Sequence, residues 1–395
     1  LGSVDDDAER GQARTARKFP LEHLRPEPSD DPNLGSGLRL RIVGHGDSSR
    51  TAHCSVLEPP CARGPRKARA GNPPVDANPG KNAPVDILTT DLGGDVTMID
   101  TRMGGYAGIT ASYLIRSSKP CLVETGAALA APLVVDQLAS LGVAAEDLGT
   151  IVVTHIHLDH AGGVGDLATA FPNAQVVVQA RGARHLADPS RLVASAQRVF
   201  GPDMDRLFGI LLPTPADRLV AIEDAGDIDL GDGRHLRAFH NPGHASHHLG
   251  LVDTHTGDLY TGDAAGVYIP ETADVRPATP PPDFDLDLAL SSLDAMRAAG
   301  STRLLFSHFG PVTDVDDTLA ISKDVLRQWV SEVTEIRAST PDLDHAIAMV
   351  RQRDRDRRPE YYDDPATVEK FEELSSLEAN VTGVSHYLDR LTQPR

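Results

Sequence analysis

Histidine and aspartate residues are concentrated in one short stretch, Thr154 to Gly163, which reads Thr-His-Ile-His-Leu-Asp-His-Ala-Gly-Gly. Three histidines and one aspartate fall within positions 155–160, directly after the apolar run Ile151-Val-Val153. Imidazole and carboxylate groups at this density are typical of a metal site rather than of a protein core. The stretch therefore predicts metal binding; the alternative is a surface loop that is histidine-rich by chance.

The position of these residues relative to a predicted strand supports the metal site. Ile151-Val-Val153 is short and β-branched, which predicts a buried strand that stops at the histidines. His155 and His157 are two residues apart on an extended chain, so their side chains point the same way. Asp159 and His160 follow where Ala161-Gly-Gly163 begins a new segment. One short loop can thus supply ligands to two metal ions from different sides.

Composition narrows the classes of partner. The chain has 395 residues, enough to bury a sizeable core without disulfides. Its formal net charge of -19 argues against binding a nucleic-acid phosphate backbone. The three cysteines do not suggest a set of disulfide bonds, which fits a reducing cytoplasm. We find no apolar run of about twenty residues and no secretory-signal pattern. We therefore expect a cytoplasmic protein that acts on a small molecule and binds neither nucleic acid nor membrane.

The sequence divides into three predicted parts. Residues 1–84 are rich in Pro, Gly, Asp and Arg, which predicts a mostly disordered tail. Within this tail His53, Cys54 and Cys61 resemble half a zinc site, but no second pair lies near them, which favours chance. Residues 85–338 are predicted to form the main domain, and residues 339–395 a helical appendage.

The main domain alternates short strands with helices both before and after residue 200. This order predicts an α/β fold of two packed sheets with helices outside. The stretch from Arg181 to Ile210 predicts two helical pieces broken at Asp188-Pro189, and we expect it to cover the site. Ala264 to Asp285 is rich in proline, with Pro280, Pro281 and Pro282 in succession. That loop is either a connector or a wall on the substrate side.

Further candidate ligands follow three other predicted strands. They are His244 in Asn-Pro-Gly-His, Asp263 in Thr-Gly-Asp, and His308 in Phe-Ser-His. Taken singly, Asp263 could cap a turn and His308 could be a hydrogen-bonded core histidine. Because all the motifs occur together at strand ends, a shared metal site is the better interpretation.

The spacing His-x-His-x-Asp-His, with the later Pro-Gly-His motif, resembles the metallo-β-lactamase superfamily, and within it the glyoxalase II-like branch. The resemblance covers roughly residues 85 to 338 and implies an αββα sandwich of two mixed β-sheets flanked by helices. It implies that His155, His157 and His244 hold one metal, that Asp159, His160 and His308 hold the other, and that Asp263 bridges them. Glu124 stands where the family usually has aspartate beside the ligands.

The resemblance implies a metal-dependent hydrolase with two Zn²⁺ ions, although the ligand types also suit iron or manganese. A metal-bridging hydroxide would attack a thioester or lactone carbonyl. Asp159 and Asp263 are the expected catalytic residues, holding the hydroxide and relaying its proton. The alternatives are a mononuclear iron oxygenase similar to persulfide dioxygenases, and a non-catalytic, metal-binding regulatory member. A flavin-linked di-iron oxidoreductase is disfavoured, because that branch has His-x-Glu-x-Asp where this chain has His157.

Several residues near these motifs are not assigned as ligands. His248 is expected beside the ligands rather than among them. Four aromatic residues are candidates for either a pocket wall or the core: Tyr106, Tyr268, Phe284 and Phe309. The basic residues that glyoxalase II carries in its C-terminal segment have no clear match, and Arg351 to Arg358 predicts a solvated helix face.

Overall fold

A computed structural model of the protein describes residues 88–392. The predicted N-terminal tail, residues 1–84, lies outside the described residues, as do His53, Cys54 and Cys61. The strands of the described part are Thr89–Gly93 (β1), Val96–Asp100 (β2), Ala111–Ile115 (β3), Cys121–Val123 (β4), Thr150–Val152 (β5), Gln175–Gln179 (β6), Leu219–Ile222 (β7), Ala225–Asp229 (β8), His235–His240 (β9), Leu249–Asp253 (β10), Asp258–Gly262 (β11), Val267–Ile269 (β12), Asp274–Arg276 (β13), Arg303–Phe306 (β14) and Gly310–Val312 (β15).

These strands form two mixed sheets. The first has seven strands in the order β1-β2-β3-β4-β5-β6-β7, antiparallel as far as β4 and parallel from β4 to β7. The second has six strands in the order β15-β14-β11-β10-β9-β8, with β11 and β14 parallel and the other pairs antiparallel. β12 and β13 form a separate antiparallel hairpin.

The two sheets pack face to face through a shared apolar layer. Val123 and Val152 of the first sheet and Leu251 and Leu305 of the second are fully buried in it. Tyr113 and Tyr260 meet edge to face across the layer, with ring centroids 5.4 Å apart. The central strands β4 and β5 are apolar because both of their faces are covered, which explains the short apolar runs in the sequence.

Helices cover the outer faces of both sheets. The α-helices are Ala131–Ser140 (α1), Leu158–Ala161 (α2), Val164–Ala170 (α3), Ala180–Ala187 (α4), Ser190–Phe200 (α5), Met204–Leu207 (α6), Leu286–Ala298 (α7), Val315–Ser339 (α8), Leu343–Arg357 (α9), Pro359–Tyr362 (α10), Pro365–Leu374 (α11) and Leu377–Thr392 (α12). α1, α3 and α4 share a core with the first sheet, and α7, α8, α9 and α12 share one with the second. The predicted αββα sandwich is therefore confirmed.

The C-terminal helices α9 and α12 pack directly against α8 on the outer side of the second sheet. Val350 of α9 and Val381 of α12 are fully buried in the same cluster as Val333 of α8. The buried Asn380 side chain accepts a hydrogen bond from the Thr279 backbone N–H at 2.6 Å. The division of the chain at residues 338 and 339 remains a prediction, and α8 ends at Ser339.

Two local predictions differ from the structure. The proline-rich loop from Ala264 to Asp285 contains the β12–β13 hairpin, whose strands of three residues are too short to show a period in sequence. Asp159 and His160 lie on the short helix α2, so the second half of the histidine motif is a helical turn. In residues 88–392 we find no helix long and apolar enough to cross a membrane.

Candidate metal centre

Three histidines converge at the ends of two strands. His155 and His157 lie on the segment that connects β5 to α2, and His244 follows β9 at the turn Pro242-Gly243. His157 Nδ1 lies 3.0 Å from His155 Nε2 and 3.0 Å from His244 Nε2. His155 and His244 are buried, while His157 is partly exposed. Three nitrogen atoms thus face one point, as a tetrahedral metal ion requires.

A second group of ligand atoms lies beside the first. His160 and Asp159 come from α2, and His308 follows β14. His308 Nε2 lies 3.0 Å from His160 Nε2 and 3.3 Å from Asp159 Oδ2. These three side chains form a second set of mutually close ligand atoms.

The Asp263 carboxylate lies between the two groups. Its Oδ1 is 3.2 Å from His160 Nε2 and 3.3 Å from His308 Nε2. Its Oδ2 is 3.5 Å from His244 Nε2. One oxygen therefore faces each group, so the structure brings all seven sequence-predicted ligand residues together. Asp263 also forms a set of mutually close ligand atoms with His155 and His160.

Two glycines allow the strand ends to approach this closely. Gly243 has φ of +132°, and a Cβ there would lie 2.3 Å from Ala289 Cα. Gly262 has φ of +51°, and a Cβ there would lie 2.3 Å from His248 Nε2. Since side chains at these positions would collide and strain the backbone, glycine precedes both His244 and Asp263.

The hydrogen bonds of the rings fix which nitrogen faces the centre. His244 Nδ1 lies 3.0 Å from Ala278 O and His308 Nδ1 lies 2.6 Å from Ile109 O. A carbonyl only accepts, so each Nδ1 donates and Nε2 is the ring nitrogen that faces the centre. Thr154 Oγ1 lies 2.5 Å from Glu124 Oε1 and 3.0 Å from His155 Nδ1. Because the one hydroxyl proton of Thr154 is donated to the Glu124 carboxylate, Thr154 Oγ1 accepts a hydrogen bond from His155 Nδ1–H.

These orientations fit a metal cation. The Nε2 atoms of His155, His244 and His308 face the centre together with two carboxylates. Electron-rich atoms 3.0 Å apart repel unless a cation or a proton lies between them. The donor set contains imidazole and carboxylate and no thiolate, which suits zinc and also accommodates iron or manganese.

Glu124 links the two strands that carry the ligands. Its carboxylate accepts from Thr154 Oγ1 and from Ser307 Oγ at 3.2 Å, and it lies 3.4 Å from His160 Nδ1. The side chain is fully buried and the residue has φ of +64°. Glu124 thus orients His160 and ties the segment before His155 to the segment before His308.

Burial and neighbouring charges set the protonation of the centre. Burial, followed by the effect of His244, lowers the pKa of His157 to about 4. Burial also lowers the pKa of His155 and of His244, so these rings are neutral, the form that binds metal. Burial disfavours the charged form of Asp159, but His160 and His308 outweigh it and lower the pKa of Asp159 to about 2.

His248 touches the centre without joining the ligand set. Its Nε2 accepts a hydrogen bond from the Asp263 backbone N–H at 3.1 Å, and its ring stacks on that of His155 at 4.9 Å. It therefore orients two ligands, in agreement with the sequence interpretation. The backbone carbonyls of Ile109 and Ala278 have similar orienting roles, which residue types alone could not have revealed.

A cavity of about 1970 Å³ opens onto the centre. Its lining includes His157, Asp159, His244, Asp263 and His308. Helices α4 and α5 form one wall of the cavity, as expected for a segment that covers the site. Pro280–Pro282 form another part of the wall, so the proline-rich loop lies on the cavity side. Of the four aromatic candidates Tyr106 lines this cavity, whereas Phe284, Tyr268 and Phe309 pack in or against the core.

The segment Arg351 to Arg358 is only in part the predicted solvated face: four of its residues are exposed, but Asp354 is buried. Asp354 is 2% exposed and pairs with Arg358, with Nη2 to Oδ2 at 2.5 Å. Arg357 pairs with Glu332, and Arg351 lines the cavity 4.0 Å from Glu372. The reason is tertiary packing, because α10 and α11 cover this side of α9.

Comparison with known proteins agrees with the geometry. Residues 105–308 match the family model of the metallo-beta-lactamase superfamily. The metallo-beta-lactamase fold-containing protein of Sulfurisphaera tokodaii is 32% identical over 192 residues, covering 47% of this chain and 68% of that protein. Its solved structure, aligned at 24% identity, covers 60% of this chain and 86% of that chain with a TM-score of 0.48.

Two similar proteins carry names of enzymes. An atrochrysone carboxyl ACP thioesterase of Aspergillus chevalieri is 27% identical over 161 residues, covering 39% of this chain and 39% of that protein. A hydroxyacylglutathione hydrolase of Vibrio parahaemolyticus is 29% identical over 195 residues, covering 48% of this chain and 60% of that protein. The chain thus spans less than two thirds of either enzyme. The matched residues 105–308 include all seven residues of the candidate metal centre, and the chain belongs to the metallo-beta-lactamase superfamily.

Proposed function

We propose that the protein is a hydrolase that depends on two divalent metal ions, with zinc as the expected metal. The observation that carries this proposal is the position of Asp263, which presents one oxygen to His160 and His308 and the other to His244. A carboxylate placed in this way can hold two metal ions at once. His155, His157 and His244 would hold one ion, and Asp159, His160 and His308 the other.

Two metal ions at this position supply Lewis acidity, which activates water for attack and polarises the carbonyl under attack. The chain itself supplies positioning and proton transfer. Asp159 and Asp263 are the anionic groups of the centre, and both line the cavity, so each can hold a water molecule and take its proton. Among the described residues that line the cavity, no cysteine is available as a nucleophile.

A thioester carbonyl is the leading substrate and a lactone the second. The similarity to a named thioesterase and to a named hydroxyacylglutathione hydrolase supports an acyl substrate with a thiol leaving group. The deep cavity beside the centre supports a small molecule rather than a polymer as the substrate. The cytoplasmic location expected from cysteine content remains a prediction.

Elemental analysis of the purified protein, combined with a panel of small thioesters and lactones, tests this proposal. We expect about two zinc ions per chain, and hydrolysis that is lost in His155→Ala and Asp263→Ala. His345→Ala is the matched control, because His345 is exposed on α9 away from the cavity. About one iron per chain without hydrolysis would replace this proposal with the mononuclear oxygenase, and no retained metal with intact folding would replace it with a binding function.

A further inference from the structure

Helix α5 presents a partly open apolar face to the cavity. Leu192, Ala196, Val199 and Phe200 recur at helical spacing, and all four line the cavity. Leu192, Ala196 and Phe200 pack in part against a neighbouring apolar cluster, but no residue of α5 is fully buried, so part of this apolar face remains open to the cavity. An amphipathic helix with its apolar side toward a cavity is stabilised when an apolar ligand fills that space.

The floor below this face is also apolar. Leu158, Leu207, Phe208 and Val267 line the cavity and belong to one buried cluster. This apolar floor reaches the metal centre, because Leu158 is the residue directly before Asp159. The volume of about 1970 Å³ exceeds the ~300–1,000 Å³ of most small-molecule sites. The cavity can therefore hold a large apolar group whose end reaches the centre.

Four arginines lie on the wall of the cavity that α4 and α5 form. Arg181 and Arg184 on α4 and Arg191 and Arg198 on α5 are exposed and line the cavity. None of the four makes an ion pair with a carboxylate within residues 88–392, whereas Arg206, also at the cavity, pairs with Glu373. The chain has 57 acidic and 38 basic residues. A wall with four arginines that form no ion pair within residues 88–392 is therefore unusual for such an acidic chain. Such a wall favours a ligand with several negative charges.

The opposite wall carries carboxylates that already have partners. Glu369 accepts a hydrogen bond from Tyr106 at 2.9 Å, and Glu372 pairs with Arg276 at 2.6 Å. Glu372 is balanced by Arg276 and Glu373 by Arg206, so these two carboxylates compete little for the four arginines of α4 and α5. The positive charge of α4 and α5 remains available to a ligand.

We propose that the substrate is a thioester that joins a long apolar acyl chain to a thiol bearing phosphate groups. This inference rests on the proposed function and adds the substrate class. The acyl chain packs on the apolar face of α5, and the phosphates bind the guanidinium groups of Arg181, Arg184, Arg191 and Arg198. Arginine suits phosphate because its planar donors reach two oxygens at once.

The reaction is balanced without any further reagent. The oxygen of water forms a bond to the acyl carbon, and the carbon–sulfur bond breaks with its electron pair on sulfur. One water proton passes to sulfur to give the thiol, and the other remains with the carboxylic acid until it ionises. The products are a fatty acid and the phosphate-bearing thiol.

Kinetics on dodecanoyl esters of three thiols test the phosphate requirement. The thiols are coenzyme A with phosphates, glutathione with carboxylates, and N-acetylcysteamine without charge. We expect kcat/KM to be highest for the coenzyme A ester, and to rise about threefold to fourfold per added methylene along an acyl series. Equal kcat/KM for the three dodecanoyl esters, or no dependence on acyl length, would overturn the inference. A preference for the glutathione ester would overturn the phosphate assignment.

Variants of α5 test the assigned residues. Arg191→Ala with Arg198→Ala should lower kcat/KM for the coenzyme A ester about 10-fold to 100-fold and leave the uncharged ester unchanged. The control is Arg327→Ala, an exposed arginine of α8 outside the cavity. Val199→Asp should abolish the preference for long chains, with Ile321→Asp, an exposed apolar position of α8, as its control. An equal effect of the control variants would overturn the assignment.

Binding of a thioether analogue separates this inference from the proposed hydrolysis. S-dodecyl-coenzyme A cannot be hydrolysed, and calorimetry measures its affinity without any turnover. Tight binding that weakens in the double arginine variant supports the ligand class even if no thioester is cleaved, in which case the proposed function fails alone. Equal affinity for S-dodecyl-N-acetylcysteamine would overturn the inference while leaving hydrolysis of thioesters intact.

Discussion

Asp263 Oδ1 lies 3.2 Å from His160 Nε2, while Oδ2 of the same carboxylate lies 3.5 Å from His244 Nε2. These two histidines come from different halves of the chain, one from α2 and the other from the turn after β9. The αββα sandwich brings the corresponding strand ends to one edge. The single carboxylate between them is therefore the residue whose replacement is most informative.

Asp263→Asn should reduce the metal content from about two ions to about one, because an amide carries no charge to bridge two cations. Hydrolysis should fall by more than the ~10-fold to 100-fold that is typical when a residue only orients a ligand. Elemental analysis and kcat measure both effects. Asp316→Asn, an exposed partner of Arg297, should change neither quantity; full metal content in Asp263→Asn would contradict the bridging position.

Glu124→Gln should weaken metal binding about 10-fold to 100-fold, because the amide orients His160 less well than a carboxylate does. Glu124→Asp should retain more affinity, since it keeps the charge. Competition with a chelator measures affinity, and thermal unfolding reports whether the buried contacts with Thr154 and Ser307 survive. Equal affinity for the two variants and the native protein would show that Glu124 has only a structural role.

Gly262→Ala should displace Asp263, because a Cβ at this position would lie 2.3 Å from His248 Nε2. We expect a loss of about 1–3 kcal/mol in the free energy of unfolding together with a loss of bound metal. Gly233→Ala is the matched control, since Gly233 also has positive φ but has no atoms within 4 Å of the added Cβ. If both variants retain metal equally, the contact with His248 does not position Asp263.

Asp354→Asn should destabilise the packing of the C-terminal helices in a pH-dependent way. Burial disfavours the Asp354 carboxylate, but Arg358 and Tyr362 outweigh it and hold its pKa below the usual value. A lowered pKa means that the charged group stabilises the fold above its unfolded pKa, and that this contribution is lost as pH falls through the folded pKa. Removing it should cost about 1–3 kcal/mol near neutral pH.

Urea unfolding of Asp354→Asn and of the native protein between about pH 7 and pH 2 measures this difference, because the contribution changes only below the usual Asp pKa of about 3.9. The two proteins should converge as the pH falls toward the lowered pKa. The control is Glu335→Gln, which removes an exposed pair with Arg353 and should have little effect. A difference in stability that grows toward acid pH would contradict the assigned sign.

The grouping of the candidate ligands was predictable from sequence because each has a distinctive side chain near the end of a strand. His155, His157, His244 and His308 carry this signal in their residue types. The carbonyls of Ile109 and Ala278 do not, since every residue has a carbonyl and only the fold decides which one meets a ring. The contacts that orient the candidate ligands could therefore not be predicted from sequence.

The layers of the fold were also predictable, whereas the cavity was not. Continuous apolar runs predict strands buried on both faces, as β4 and β5 are. The arginines of α4 and α5 look like ordinary solvated residues in sequence. Their position on one wall depends on how these helices lie over the centre, and helix orientation is set by tertiary packing rather than by local pattern.

The most direct test of the central claim is a zinc titration of the chelator-treated protein, with thioester hydrolysis measured at each addition. The account predicts no activity without metal and a rise that levels off at about two equivalents per chain, because seven residues form two groups joined by Asp263. Activity that survives chelation, or that levels off at about one equivalent, would contradict a hydrolase with two metal ions.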